Sequence, residues 1–163
     1  MSLIRYIGLN NESVMVEIGS YAGESTELFV DYGKCKKIYA VDPWSEDYGE
    51  TKNKISMEKV EKIFDKRLKK DVNVEKYKMT SEEAVSMFED ESLDFVYIDG
   101  SHIHEMVKQD IEMWTPKVKK GAYIGGHDYQ MTGVSSAVHE ILGQPTKDFK
   151  DDSWVFKISG EEN

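Results

Sequence analysis

The stretch Val14-Met15-Val16-Glu17-Ile18-Gly19-Ser20-Tyr21-Ala22-Gly23-Glu24-Ser25-Thr26 constrains the fold more than any other. A short apolar run carries an acid, a glycine turn follows, and a helix begins at Glu24. Strand, tight turn and helix N-terminus in that order make a small-molecule cradle in α/β proteins. The turn brings backbone N–H groups to a ligand at the positive end of the helix.

The alternation continues downstream. Apolar runs predict strands over 14–18, 37–42, 72–79, 93–99 and 121–126, and a last pair over 147–150 and 154–158 around an Asp151-Asp152-Ser153 turn. Helical patterns lie between them. One runs over 24–32 with Leu28 and Phe29 inward and Gly33 as its stop. Another runs over 54–70 with Ile55, Val60, Ile63, Phe64 and Leu68 at helical spacing, and two more run over 104–114 and 134–142. Thr80-Ser81-Glu82-Glu83 reads as a capping box that starts a helix to about Phe88. Residues 1–12 form a short lead-in of about one helical turn. Strands alternating with helices predict an α/β fold: a doubly wound, mostly parallel seven-stranded sheet covered on both faces, with a C-terminal antiparallel hairpin. The 163 residues suit one domain spanning 1–163.

Charge and composition narrow the partners. A net charge of −10 argues against general affinity for nucleic acid, which needs a basic face. The lysines between Lys52 and Lys70 are interleaved with Glu58, Glu61, Asp65 and Asp71, as on a solvated amphipathic helix. The single cysteine, Cys35, excludes an internal disulfide. No apolar stretch approaches the roughly 18–20 residues of a membrane span, and the N-terminus lacks a signal-type apolar region. A cytoplasmic protein handling a small molecule is expected, with a homo-oligomer open.

The expected strand ends carry Glu17, Asp42, Asp99 and His127-Asp128. Ligands of open α/β sheets gather outside the C-terminal ends of the strands. Carboxylates crowded there repel one another unless they face hydroxyls, an amine or a metal ion. The glycine pattern is Gly19-x-x-x-Gly23, with Tyr21 at the second glycine of the dinucleotide fingerprint. That disfavours a pyrophosphate. Asp42 lies 19 residues past Gly23, the spacing at which the second strand's acid grips a ribose. A ribose without a pyrophosphate points to an adenosine carrying a smaller group.

On these residues the chain resembles the class I S-adenosylmethionine-dependent methyltransferases, which have a Rossmann-like fold. Glu17-Ile-Gly19-Ser-Tyr21-Ala-Gly23-Glu-Ser25 is similar to the first motif of the catechol O-methyltransferase branch. Asp99-Gly-Ser-His102 and Gly125-Gly-His127-Asp128-Tyr129 resemble bacterial sugar and antibiotic O-methyltransferases. The resemblance implies that Glu17 and the Gly19–Gly23 loop hold the methionine part of S-adenosylmethionine, with Tyr21 in that loop and Ser25 near the carboxylate. It implies that Asp42 binds the ribose, that Ser81 and Glu82 meet the adenine edge, and that Asp99 adjoins the cofactor. It also implies that Asp99, His127 and Asp128 hold Mg²⁺, or Mn²⁺, and that the acceptor is a small-molecule hydroxyl. His102 stands where relatives place a lysine base, and a histidine suits proton transfer near neutral pH. His127 departs from the family pattern, because imidazole is a poorer Mg²⁺ ligand than carboxylate.

Simpler readings stand beside these. Glu17 suits a helix cap, Asp42 a turn before Pro43, and the capping box accounts for Thr80 and Glu83. Trp44 and Tyr48 suit either ligand stacking or loop packing, and Tyr129 suits the acceptor pocket. His139 reads as structural or exposed, and Trp114 and Trp154 as core. The acceptor walls are expected in loops 43–53 and 127–133. A binding module without turnover, or a nucleotide-dependent oxidoreductase, remains an alternative.

Overall fold

A computed structural model describes residues 2–47 and 56–160. The elements run α1 (Ser2–Ile7), β1 (Val14–Ile18), α2 (Glu24–Leu28), β2 (Lys37–Val41), α3 (Met57–Arg67), β3 (Val74–Tyr77), α4 (Ser81–Val85) and β4 (Leu93–Ile98). Then follow α5 (His104–Trp114), β5 (Val118–Gly126), α6 (Thr132–Ile141), β6 (Lys147–Asp148) and β7 (Trp154–Lys157). Seven strands form one sheet in the order β3-β2-β1-β4-β5-β7-β6. β1 to β5 are mutually parallel, whereas β7 runs antiparallel to both β5 and β6. The chain winds one way from β1 to β3 and the other way from β4, so the topological switch lies between β1 and β4.

Successive side chains of a strand point to opposite faces, so β1 and β4 feed two cores. Met15, Phe95 and Tyr97 pack with Leu3, Ile4 and Phe29 on the α1 and α2 side. Ala40 of β2 continues that face toward Trp44, Val60 and Phe64. Val16, Ile18, Val96 and Ile98 pack with Val107, Ile111 and Trp114 of α5 and with Val134 and Val138 of α6. Two buried faces explain why these strands read as largely apolar runs, each broken by a single acid, Glu17 in β1 and Asp94 in β4. Trp114 and Trp154 are fully buried, as the sequence predicts.

Several boundaries differ. The expected helix over 24–32 is α2 followed by a π-helical turn over Phe29–Gly33. The widened turn closes with the Lys34 N–H donating to the Phe29 carbonyl (3.1 Å), and it changes the helix phase. Phe29 is buried, but Leu28 turns outward and is 42% exposed. The left-handed stop is Lys34 (φ 52°), not Gly33. Val72 is 95% exposed and lies outside β3, which starts at Val74. α4 ends at Val85, short of Phe88. The capping box forms, with Thr80 Oγ1 accepting from the Glu83 N–H and the Glu83 carboxylate accepting from the Thr80 N–H. Lys54 and Ile55 of the expected third helix, and Tyr48 in loop 43–53, lie outside the described residues. No helix among the described residues is long and apolar enough to cross a membrane.

Candidate active site

The turn after β1 is fixed by its neighbours before any ligand arrives. The Gly19 N–H donates to the Val41 carbonyl (2.8 Å), and the Asp99 N–H donates to the Ile18 carbonyl (2.8 Å). Gly19 has φ +86°, and a Cβ there would lie 2.4 Å from the Asp99 carbonyl oxygen. Glycine is therefore required where the β1 turn crosses the end of β4. Gly23 (φ +83°) caps α2, and a Cβ there would press on Phe64, Arg67 and Leu68 at 3.1–3.3 Å. Arg67 clamps the same turn from outside, donating to the Ala22 carbonyl (3.0 Å) and pairing with Glu24 and Glu27.

Asp42 ties this turn to the loop after β2. Its Oδ2 accepts from the Tyr21 N–H (2.9 Å) and its Oδ1 from the Trp44 N–H (2.7 Å). The Trp44 indole donates to the Tyr21 carbonyl (2.8 Å). Tyr21 (φ 45°) and Trp44 (φ 42°) both hold left-handed backbone, a costly conformation that persists only where several contacts impose it. Burial pushes the Asp42 carboxyl above its ordinary value, against the pull of these two N–H groups.

Glu17 is fully buried behind this wall. Its Oε2 accepts the Thr26 hydroxyl, while Oε1 has no hydrogen-bond partner. Burial raises its pKa, opposed by the nearby hydroxyls of Ser25, Thr26 and Ser20.

A cavity of about 870 Å³ opens along the C-terminal ends of β1, β2 and β4. Of the residues named from the sequence, Gly19, Tyr21, Ser25, Asp42, Ser81, Glu82, Asp99, His102, His127 and Asp128 line it. Glu17 and Gly23 do not: one lies behind the wall, and the other faces α3. Trp44 is packed against Phe64, with Lys76 over its ring, so it belongs to the loop packing. Tyr129 bonds His139 (2.5 Å) and packs on the core, away from the cavity.

At the far end, ligand atoms of Asp99, His127 and Asp128 lie within 4.8 Å of one another. His102 Nε2 is 2.8 Å from Asp128 Oδ2, and His127 Nδ1 is 3.3 Å from Asp128 Oδ1. Asp128 thus sits between two imidazoles, on left-handed backbone (φ 55°). Asp99 has no comparable donor among the described residues. Burial, with Glu17 and Asp128 adding repulsion and His127 opposing it, pushes Asp99 up to about 8.

Some lining residues escape a sequence reading. Ser81 donates to Asp110 (2.5 Å) and accepts from the Trp114 indole (2.8 Å), so Asp110 joins the cavity at the β3 end. Burial pushes Asp110 up to about 6. A signal existed: Asp110 falls on the apolar stripe of Val107, Ile111 and Trp114. Leu3 and Ile4 of α1, and Asp151 and Ser153 of the hairpin turn, line the opposite end. They carried no signal beyond helix and turn chemistry.

A family model described as a methyltransferase domain matches residues 16–129, from within β1 to the Asp128 loop. The chain belongs to this methyltransferase family. S-adenosylmethionine is the cofactor that membership implies. The chain is 30% identical over 128 residues to the uncharacterized protein y4gI of Sinorhizobium fredii, a match covering 72% of this chain and 13% of that protein. An rRNA methylase from Streptococcus thermophilus is similar in structure, with TM-score 0.67, 14% identity and coverage of 97% and 95%. So is CalS11, a TDP-rhamnose 3′-O-methyltransferase of calicheamicin biosynthesis, with TM-score 0.63, 14% identity and coverage of 96% and 76%. The Bacillus subtilis YcgJ protein matches at TM-score 0.58 and 20% identity over 78% of this chain and 48% of its own. At such identities these likenesses speak for the fold.

The site suits the cofactor on its own terms. Ser20 is buried on the cavity wall, its hydroxyl on the side of the Glu17 carboxylate. Asp42 adds a carboxylate whose position is already fixed by two backbone groups.

Proposed function

We propose that the protein transfers the methyl group of S-adenosylmethionine to a hydroxyl oxygen of a small molecule. One observation carries this reading: a single cavity joins the Gly19–Tyr21 turn and Asp42 at one end to the His102–Asp128 pair at the other. S-adenosylmethionine supplies a methyl group already activated on a sulfonium. The protein's share is therefore positioning and proton removal.

Asp42 takes the ribose hydroxyls on lone pairs that Tyr21 and Trp44 leave unused. Ser20 and Ser25 meet the methionine end at the start of α2, and Ser81 and Glu82 face the adenine. Glu17 acts from behind the wall, holding Thr26 in place. His102 takes the acceptor's proton, held by Asp128 in one orientation and one tautomer.

Asp99, His127 and Asp128 offer two carboxylates and an imidazole, a donor set that suits Mn²⁺ better than Mg²⁺. A divalent ion there would act as a Lewis acid on the acceptor oxygen. The reading favours a small acceptor over nucleic acid, because the chain carries a net charge of −10. A cytoplasmic setting fits the one buried thiol, Cys35.

Calorimetric titration with S-adenosylhomocysteine, NAD⁺ and ATP tests the cofactor. Binding of the first alone is expected, and binding of NAD⁺ or ATP instead sinks the reading. Mn²⁺ binding followed by electron paramagnetic resonance tests the metal. It should be lost in Asp99→Ala, and unchanged affinity in that variant removes the metal from the scheme.

A further inference from the structure

The walls of the cavity differ in charge from a site that takes anions. Asp42, Glu82, Asp99, Asp110, Asp128 and Asp151 all line it, and no lysine or arginine does among the described residues. A phosphate or carboxylate brought into such a low-dielectric cleft meets repulsion from several carboxylates and finds no lysine or arginine to pair with among the described residues.

The cofactor accounts for only part of this lining. Asp42, Glu82 and Asp110 belong to the β2 and β3 ends, where the adenosyl group is placed. Asp99, Asp128 and Asp151 lie toward β5 and the hairpin turn, beyond the reacting centre. The hairpin is held there because the Tyr129 N–H donates to the Asp152 carbonyl (2.9 Å) and β7 pairs with the end of β5. The cavity volume is near the top of the range for small-molecule sites, so it has room for two reactants.

That far end also has an apolar side. Leu3 and Ile4 of α1, Leu28 and Phe29, and Tyr97 of β4 all reach the cavity. Tyr97 packs edge-on against Phe29, with ring centroids 5.1 Å apart, so the surface is rigid and aromatic. Leu28 faces outward here because the π-helical turn re-phases the end of α2.

We propose that the acceptor has an apolar body, carries no phosphate or carboxylate, and is neutral or cationic. Its body lies against Leu3, Ile4, Leu28 and Tyr97, and its polar end faces Asp99, Asp128 and Asp151. This rests on the methyltransferase reading and specifies its substrate class. Nucleotide-linked sugars and nucleic acids, acceptors named for other proteins of this fold, fall outside that class.

The test uses a matched series on the full chain saturated with S-adenosylhomocysteine and kept metal-free with EDTA: 2-phenylethylamine, 2-phenylethanol and 3-phenylpropanoate, titrated by ligand-observed NMR. The amine and the alcohol should bind. The carboxylate should bind at least about tenfold more weakly, the least expected of like charges brought together. Leu28→Lys places a cation at the rim, and carboxylate affinity should rise about fivefold, as for an exposed ion pair. S-adenosylhomocysteine binding by the same variant reports that it is folded. A carboxylate that binds as tightly as the amine overturns the inference, as does a series in which no probe binds. Failure of S-adenosylhomocysteine itself to bind the unaltered protein overturns the methyltransferase reading instead.

Discussion

At the β2 end of the cavity, Asp42 is buried but satisfied: two backbone N–H groups, from Tyr21 and Trp44, point at its two oxygens. At the β4 end, Asp99 is half-buried among Glu17, Asp128 and His127, with repulsion outweighing attraction, and its carboxyl is pushed up to about 8. Two acids that look alike in sequence, each closing a parallel strand, thus sit in opposite environments. Backbone donors hold a charge in a fixed place, which suits a group that grips a cofactor. A carboxyl short of donors favours its neutral form and gains most from an incoming cation. On the proposed reading, the first end binds before the reaction and the second is completed by what binds there.

Gly19→Ala should break both ends together, because Gly19 is where they touch. The added Cβ meets the Asp99 carbonyl oxygen at 2.4 Å, on backbone that side chains rarely adopt. A loss on the order of 4 kcal/mol, or no folded protein, is expected in urea denaturation. Near-native stability would mean that the turn is looser than described.

Asp42→Ala should separate the ends. Losing the acceptor of two N–H groups is expected to weaken S-adenosylhomocysteine binding by about 3 kcal/mol, roughly a hundredfold. Asp99→Ala should change that affinity less than about fivefold, well under 1.4 kcal/mol. Comparable losses in calorimetry would erase the contrast between the two acids.

Asp110 sharpens the comparison with a smaller effect. Its folded pKa of about 6 lies above the ordinary value of 3.8. The unfolded chain therefore releases this proton first as pH rises, and the group's contribution to stability declines between about pH 4 and 6. The decline should be on the order of 2 kcal/mol and should vanish in Asp110→Asn. A wild-type stability that does not decline over that window would show that Asp110 is better solvated than its burial implies.

Much of the first end is legible in the chain. Val14 to Trp44 runs through β1, the turn, α2 and β2, and its parts meet because they are near neighbours in sequence. The second end is less so. His102 and Asp128 are 26 residues apart and meet only when α5 and α6 pack side by side. Hairpin residue Asp151 reaches the cavity through the antiparallel pairing of β7 with β5, outside the two loops, 43–53 and 127–133, that the sequence points to. Leu28 reads as an inward residue because helical periodicity does not reveal a π-helical turn.

The sequence alone determined the alternation of strands and helices, the glycine turn and the acids at the strand ends. These depend on local backbone preference and on apolar spacing, which each segment carries within itself. Tertiary structure decided which acid became a wall and which lay behind it. Glu17 precedes the turn by two residues and yet is sealed off against Thr26, while Asp42, 25 positions later, faces the cavity. Side-chain direction at a strand end depends on what closes over it, and that is set by the packing of distant segments.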